Sequence, residues 1–269
     1  VPQSWRLAIL GIVQGLTEFL PVSSSAHLVF AEALLGLPRL GVLLEAVVHL
    51  GTVGAVLVLY GRDLARVLAE WLRRPLAARG PGRVVWLLVL TTAVTGGLGF
   101  AFRQPLEESF SSVRWTALQL VATGFVLWFA RERSARTAEE MSWEDAGWIG
   151  LAQAVAIVPG ISRSGITIAA GMWRGLGREE AARYSFLASV PAILGAAAYS
   201  LAKEGPAAAS HGYTPVSLGL GFLTSLVSGA AAILWLVRVI RGGRLAAFSY
   251  YCWLVGGTVF VAAWLGGVR

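Results

Sequence analysis

The sequence predicts an all-α, polytopic integral membrane protein with six transmembrane helices and two re-entrant helical hairpins in an inverted-topology repeat. Three observations predict it. The 269 residues are 56% hydrophobic and 14% charged, with mean hydropathy +0.68, a balance that in water would leave large apolar patches exposed. Six apolar runs approach the length of about 20 residues that a helix needs to cross a bilayer core. Two further apolar segments are broken at similar places by proline, glycine and polar residues.

The spans are expected at residues 41–60, 84–102, 115–130, 184–202, 215–237 and 245–265. All are read as helices, because unpaired backbone cannot cross hydrocarbon. Their small residues, as in Thr95-Gly96-Gly97 and Ser228-Gly229-Ala230-Ala231, suit close helix contacts. Most of the 22 Lys and Arg fall in alternate connections, above all 61–83, which makes that side cytoplasmic and puts both termini outside. Spread in this way, the net charge of +7 marks topology and lipid headgroups instead of nucleic acid. The single Cys252 leaves no intrachain disulfide, and no cleavable leader is expected.

Two segments, about 5–37 and 148–173, are apolar at both ends and polar in the middle. Each half is too short to cross, so each is expected to be a re-entrant hairpin whose irregular tip is packed in protein or lines a wet cavity. The first contains Gln14-Gly-Leu-Thr-Glu18-Phe-Leu-Pro21-Val-Ser-Ser-Ser-Ala-His27, the second Gln153-Ala-Val-Ala-Ile-Val-Pro159-Gly-Ile-Ser-Arg-Ser-Gly165. Both read Gln, apolar helix, Pro, Ser-rich turn and a second short helix, with three spans following. One membrane domain, 1–269, therefore divides into repeats 1–130 and 131–269, inserted in opposite senses with a site near the midplane.

An intramembrane acid such as Glu18 is costly, about 2.5–3.5 kcal/mol for Asp at a helix centre, so it needs a partner. Arg163 of the other hairpin is the candidate. A structural Glu–Arg pair is the plainer reading, and the density of hydroxyls around both residues argues against it. Ser23, Ser24 and Ser25 can cap one short helix and Ser162, Ser164 and Thr167 flank another, with Gly165 permitting close approach. Two helix N-termini, a guanidinium and several hydroxyls describe an anion site, and phosphate fits it best. His27 can move a proton or attack phosphorus itself. His49 and His211 read as packing or loop histidines. Glu18, with Gln14 as a neutral oxygen ligand, could hold Mg2+ or Ca2+ through substrate phosphates.

These two motifs, with His49-Leu-Gly-Thr-Val-Gly-Ala-Val and Ser185-Phe-Leu-Ala-Ser-Val-Pro191 beside them, resemble the undecaprenyl-diphosphate phosphatase family linked to bacitracin resistance. The resemblance implies removal of the terminal phosphate of a C55 polyprenyl diphosphate to regenerate the monophosphate carrier for cell-wall polymers. It implies catalytic roles for Glu18, Ser24, His27 and Arg163, with phosphate held by Ser23, Ser25, Ser162, Arg163, Ser164, Gly165 and Thr167, and a metal at Glu18 and Gln14. Ser24 or His27 is the attacking group. The partners implied are the prenyl diphosphate, membrane lipids and a homodimer, in a bacterial inner (plasma) membrane. A transporter or flippase of an anionic lipid or small solute would also use half-helices meeting at midplane, but would not need the Glu18, Ser24 and His27 cluster.

Overall fold

The computed structural model describes residues 3–35, 42–77, 79–102, 112–204 and 213–265. Every named element in them is helical: α1 Gln3–Phe19, α2 Ser24–Leu35, α3 Val42–Arg73, α4 Arg83–Ala101, α5 Val113–Trp128, α6 Trp143–Val155, α7 Arg163–Trp173, α8 Arg178–Glu204, α9 Pro215–Arg241 and α10 Ala247–Leu265. A 3-10 turn at Ala138–Glu140 lies between α5 and α6.

Five helical stretches are long and apolar enough to cross a membrane: Leu43–Arg73, Arg83–Ala101, Arg178–Lys203, Pro215–Arg241 and Ala247–Leu265. Large apolar side chains such as Val58, Val227 and Leu254 stand exposed on them, a surface that lipid covers and water would not. The protein is thus a multi-pass membrane protein. The sixth expected span, α5, has 16 residues, about 24 Å of helix. Several boundaries differ from the expectation: α3 continues past residue 60 to Arg73, α8 begins at Arg178 and α9 runs on to Arg241. Arg62, Arg66 and Arg73 ride on the α3 extension, since charged residues are good helix formers once outside hydrocarbon.

The starts and stops follow from local chemistry. Pro21 cannot continue α1, which ends at Phe19. Side chains cap the later helices: Ser112 accepts from the Trp115 N–H, Ser142 and Asp145 form a reciprocal capping box, and Thr214 caps α9 ahead of Pro215 at its first position.

Packing puts the short helices where they matter. α1 lies against α9, and α6 against α4. Gly15 makes the first contact: a Cβ there would collide with the Ser228 hydroxyl and the Ser225 carbonyl, so the two backbones touch directly. α1 and α2 pair with each other, as do α6 and α7, while α5 packs along α10 and α3 along α8. Phe19 and Phe186 meet edge to face at 5.6 Å in the main core, which anchors the end of α1 beside α8.

Candidate active site

Each hairpin turns on one left-handed residue, Ser23 (φ 67°) in the first and Gly160 (φ 100°) in the second. A serine hydroxyl then caps each following helix: Ser23 Oγ accepts from the Ala26 N–H (3.4 Å) and Ser162 Oγ from the Gly165 N–H (3.1 Å). The tips touch. The Gly160 N–H donates to Ser25 Oγ (3.3 Å), and Ser164 Oγ donates to the Leu20 carbonyl (3.0 Å).

This juxtaposition puts Ser24 and Arg163, the first residues of α2 and α7, on either side of Glu18. Arg163 Nη2 donates to Glu18 Oε1 at 3.1 Å, and Ser24 Oγ donates to Glu18 Oε2 at 2.6 Å. Gln14 Nε2, one turn before Glu18, donates to Oε2 at 2.9 Å. The Arg163 Nη1 donates to the Ser185 carbonyl at 3.1 Å, which fixes the guanidinium plane. Glu18 is 7% exposed. Its charge is therefore held by a cation and hydrogen-bond donors in place of water.

A cavity of about 650 Å3 opens in front of these groups. Glu18, Ser24, Ser25 and Arg163 line its polar end, and Ile157, Ile161 and Ile193 belong to its apolar wall. It runs toward the end of the bundle where α3 begins and α4 and α8 finish, since Glu45, Phe100 and Ser200 also line it. Pro191, inside α8, is on its wall.

The structure gathers only part of the expected set. Glu18, Ser23, Ser24, Ser25, Ser162 and Arg163 reach the cavity. Ser164, Gly165 and Thr167 do not line it: Ser164 and Thr167 are spent inside the fold, Thr167 Oγ1 donating to the Arg163 carbonyl (2.7 Å) and meeting Ser185 Oγ (2.6 Å). Gly165 packs against Pro21, where a Cβ would lie 3.2 Å from that ring. The side chains of Ser164 and Thr167 and the bare Cα of Gly165 build the tip and lie off the cavity wall.

His27 departs from expectation as well. It turns away from Ser24 and Glu18: Nδ1 bonds the Ser23 carbonyl (2.8 Å), Nε2 meets the Tyr251 hydroxyl (2.8 Å), and its ring stacks on that of Tyr251. Two contacts hold it there, one local, to the carbonyl four residues back, and one distant, to the Tyr251 hydroxyl. The histidine that does face the cavity is His49, whose Nε2 lies 3.9 Å from Glu18 Oε2 while Nδ1 bonds the Glu45 carbonyl (2.8 Å). Reading His49 as a packing residue missed it. Glu45 and His49 lie four apart, one helical turn, on an otherwise apolar run, a polar pair that signals a cavity face. His211 lies outside the described residues.

Gln14 does not fit the role of metal ligand in this arrangement. It is wholly buried and absent from the cavity wall; its amide nitrogen faces Glu18, and its Oε1 has no partner among the described residues. Both oxygens of Glu18 already accept hydrogen bonds. Among the described residues no group of three or more His, Cys, Asp or Glu is placed to hold a metal ion.

Fold and site together define a multi-pass membrane protein with a carboxylate, a serine hydroxyl and a guanidinium converging at two hairpin tips. Comparison with known proteins gives that class a family. The family model described as Bacitracin resistance protein BacA matches residues 7–258. The chain is 38% identical over 262 residues to the undecaprenyl-diphosphatase of Carboxydothermus hydrogenoformans, covering 96% of this chain and 97% of that protein. It is 40% identical over 267 residues to that of Salinibacter ruber (94% and 97%) and 41% identical over 255 residues to that of Syntrophotalea carbinolica (94% and 96%). The chain belongs to the bacitracin resistance protein BacA family.

Proposed function

We propose that the protein is an undecaprenyl-diphosphatase, removing the terminal phosphate of the C55 prenyl diphosphate, and that Ser24 is its nucleophile. One observation carries the assignment of Ser24: its hydroxyl donates at 2.6 Å to a carboxylate whose other oxygen is held by Arg163. That is a nucleophile and base within hydrogen-bond reach, with a third group orienting the base. In the reaction, Ser24 Oγ attacks the terminal phosphorus, its proton passes to Glu18 Oε2, and the bond to the prenyl monophosphate breaks. Water then attacks the phosphoserine, inorganic phosphate leaves, and Glu18 returns the proton to Ser24. Arg163 and the first-turn N–H groups of α2 and α7 neutralise charge on the phosphoryl group. The apolar wall at Ile157, Ile161 and Ile193 suits the first isoprene units. Mg2+ or Ca2+ is proposed as a companion of the diphosphate instead of a resident of Glu18 and Gln14.

Sidedness and repeat belong to the same proposal. With the Arg-rich 61–83 segment cytoplasmic, the cavity opens outward, both termini lie outside, and the membrane is the bacterial inner (plasma) membrane. Reciprocal packing supports two inverted repeats, 1–130 and 131–269: α1 on α9 mirrors α6 on α4, with α5·α10 and α3·α8 on the axis. On that reading α1–α2 and α6–α7 are re-entrant and α5 is the sixth span. A transporter would need none of the Ser24–Glu18 geometry. The test is phosphate release from the prenyl diphosphate in detergent: wild type releases phosphate, and Ser24→Ala loses at least about 10³-fold in kcat. Near-full activity in Ser24→Ala would remove the serine from the chemistry.

A further inference from the structure

We infer that Tyr251, on the last helix of the chain, is a positioning residue for Ser24, acting through His27 and the Ser23 carbonyl; the inference rests on Ser24 being the attacking group. Ser23 is the one non-glycine residue with positive φ among the described residues, a conformation that persists only where its surroundings hold it. Ser24 follows directly, so the plane of the Ser23 peptide sets where the Ser24 hydroxyl points.

Hydrogen-bond bookkeeping shows what holds that peptide. A carbonyl can only accept, so the 2.8 Å contact between Ser23 O and His27 Nδ1 requires the proton on Nδ1. In the neutral ring Nε2 is then bare and accepts, and the Tyr251 hydroxyl, 2.8 Å away, is its donor. The rings stack at 5.7 Å with 13° between planes, which fixes the imidazole orientation. Without that hydroxyl, Nε2 would lose its donor and the imidazole, with the Nδ1–H that holds the Ser23 carbonyl, would be less firmly oriented. Next in sequence, Cys252 Sγ lies 3.6 Å from the Pro21 carbonyl in the same turn, so α10 grips the first tip at two points.

The second tip has its own clamp of the same kind. Thr123 on α5 donates to the Gly160 carbonyl (3.1 Å) and accepts from the Ser162 N–H (3.0 Å). Each hairpin tip is thus held by the last helix of one half of the chain. For the tip that carries the serine, the clamp works through an imidazole.

The test uses the intact protein in detergent with polyprenyl diphosphate. Tyr251→Phe keeps the ring stack and removes the donor; we expect kcat to fall about tenfold with KM within about twofold. His27→Ala should lose more, and His27→Asn, whose Nδ2 can donate to the same carbonyl, should recover activity over His27→Ala. Adding Tyr251→Phe to His27→Asn should cost nothing further. Wild-type kcat in Tyr251→Phe, a loss carried by KM, or the same loss repeated in the His27→Asn background would overturn the inference. Release surviving in Ser24→Ala would instead fell the nucleophile assignment, so the two failures are distinguishable.

Discussion

The two hairpins are built to one plan and do opposite electrostatic work. The same interval separates Gln14 from Gln153, Ser23 from Ser162 and Ser24 from Arg163. Both tips have a buried glutamine on the first arm, a serine cap, and a helix beginning at the next residue. At that next residue one tip carries a hydroxyl and the other a guanidinium. On the proposed reading of the two halves as repeats, equivalent positions facing each other are filled with complementary chemistry, and Glu18, present in one copy only, joins them. Position 157, its counterpart by the same interval, is Ile157 on the apolar wall of the cavity.

If that division holds, the largest effect should come from spoiling the cationic tip. Arg163 makes two directed contacts from one planar fork, to Glu18 and to the Ser185 carbonyl, and a lysine ammonium does not reproduce that geometry. Arg163→Lys should lower kcat/KM by about 10²-fold and Arg163→Ala by about 10³-fold, since alanine also leaves the Glu18 carboxylate buried without its cation. Phosphate release measured beside Glu18→Gln checks it. Equal activity in wild type and Arg163→Lys would show that the tip supplies charge without geometry.

A smaller effect separates the two left-handed turns. Gly160 has φ 100°, and a Cβ there would strike the Thr116 carbonyl. Gly160→Ala should destabilise the protein by about 1–3 kcal/mol, seen as a lower melting temperature in detergent. Ser23→Gly, at the opposite tip, gives up the hydroxyl cap but relieves a strained φ, a net change of roughly a few tenths of a kcal/mol. Its stability should stay near wild type while kcat falls, because a glycine can leave the left-handed φ that sets the Ser24 hydroxyl.

How much of this was legible in the sequence depends on the range of the interaction. Pro21 and Pro159 announce the tips, because a missing N–H acts locally. The Glu18–Arg163 pairing follows because a buried carboxylate must find a cation, and these two interrupted segments are where one is placed. The direction of His27 was not legible. Three residues after Ser24 it could have shared the cavity, and what turns it away is a tyrosine from the far end of the chain. No spacing rule reports that contact. Thr167 and Ser164 misled for a related reason: a hydroxyl in a membrane helix serves its own backbone or a neighbour as readily as a ligand.

The smallest effect belongs to a charge pair outside both hairpins. Glu132, in the connection between the two halves, accepts from the Arg178 backbone N–H at 2.9 Å and from Arg178 Nε at 2.7 Å. The Arg178 side chain, then its backbone N–H, hold the Glu132 carboxyl below the usual carboxylate range. A depressed carboxylate contributes stability above its unfolded pKa and loses it as pH falls through the folded value. Both partners are partly exposed, so the contribution stays below about 1 kcal/mol. Glu132→Gln should therefore melt slightly lower than wild type at pH 7, and the gap should close on acidification below the folded pKa. Its kcat should match wild type throughout, because nothing in this pair reaches the cavity. A Glu132→Gln protein with intact stability but reduced phosphate release would mean that the two halves shift against each other during turnover, with this connection part of the motion.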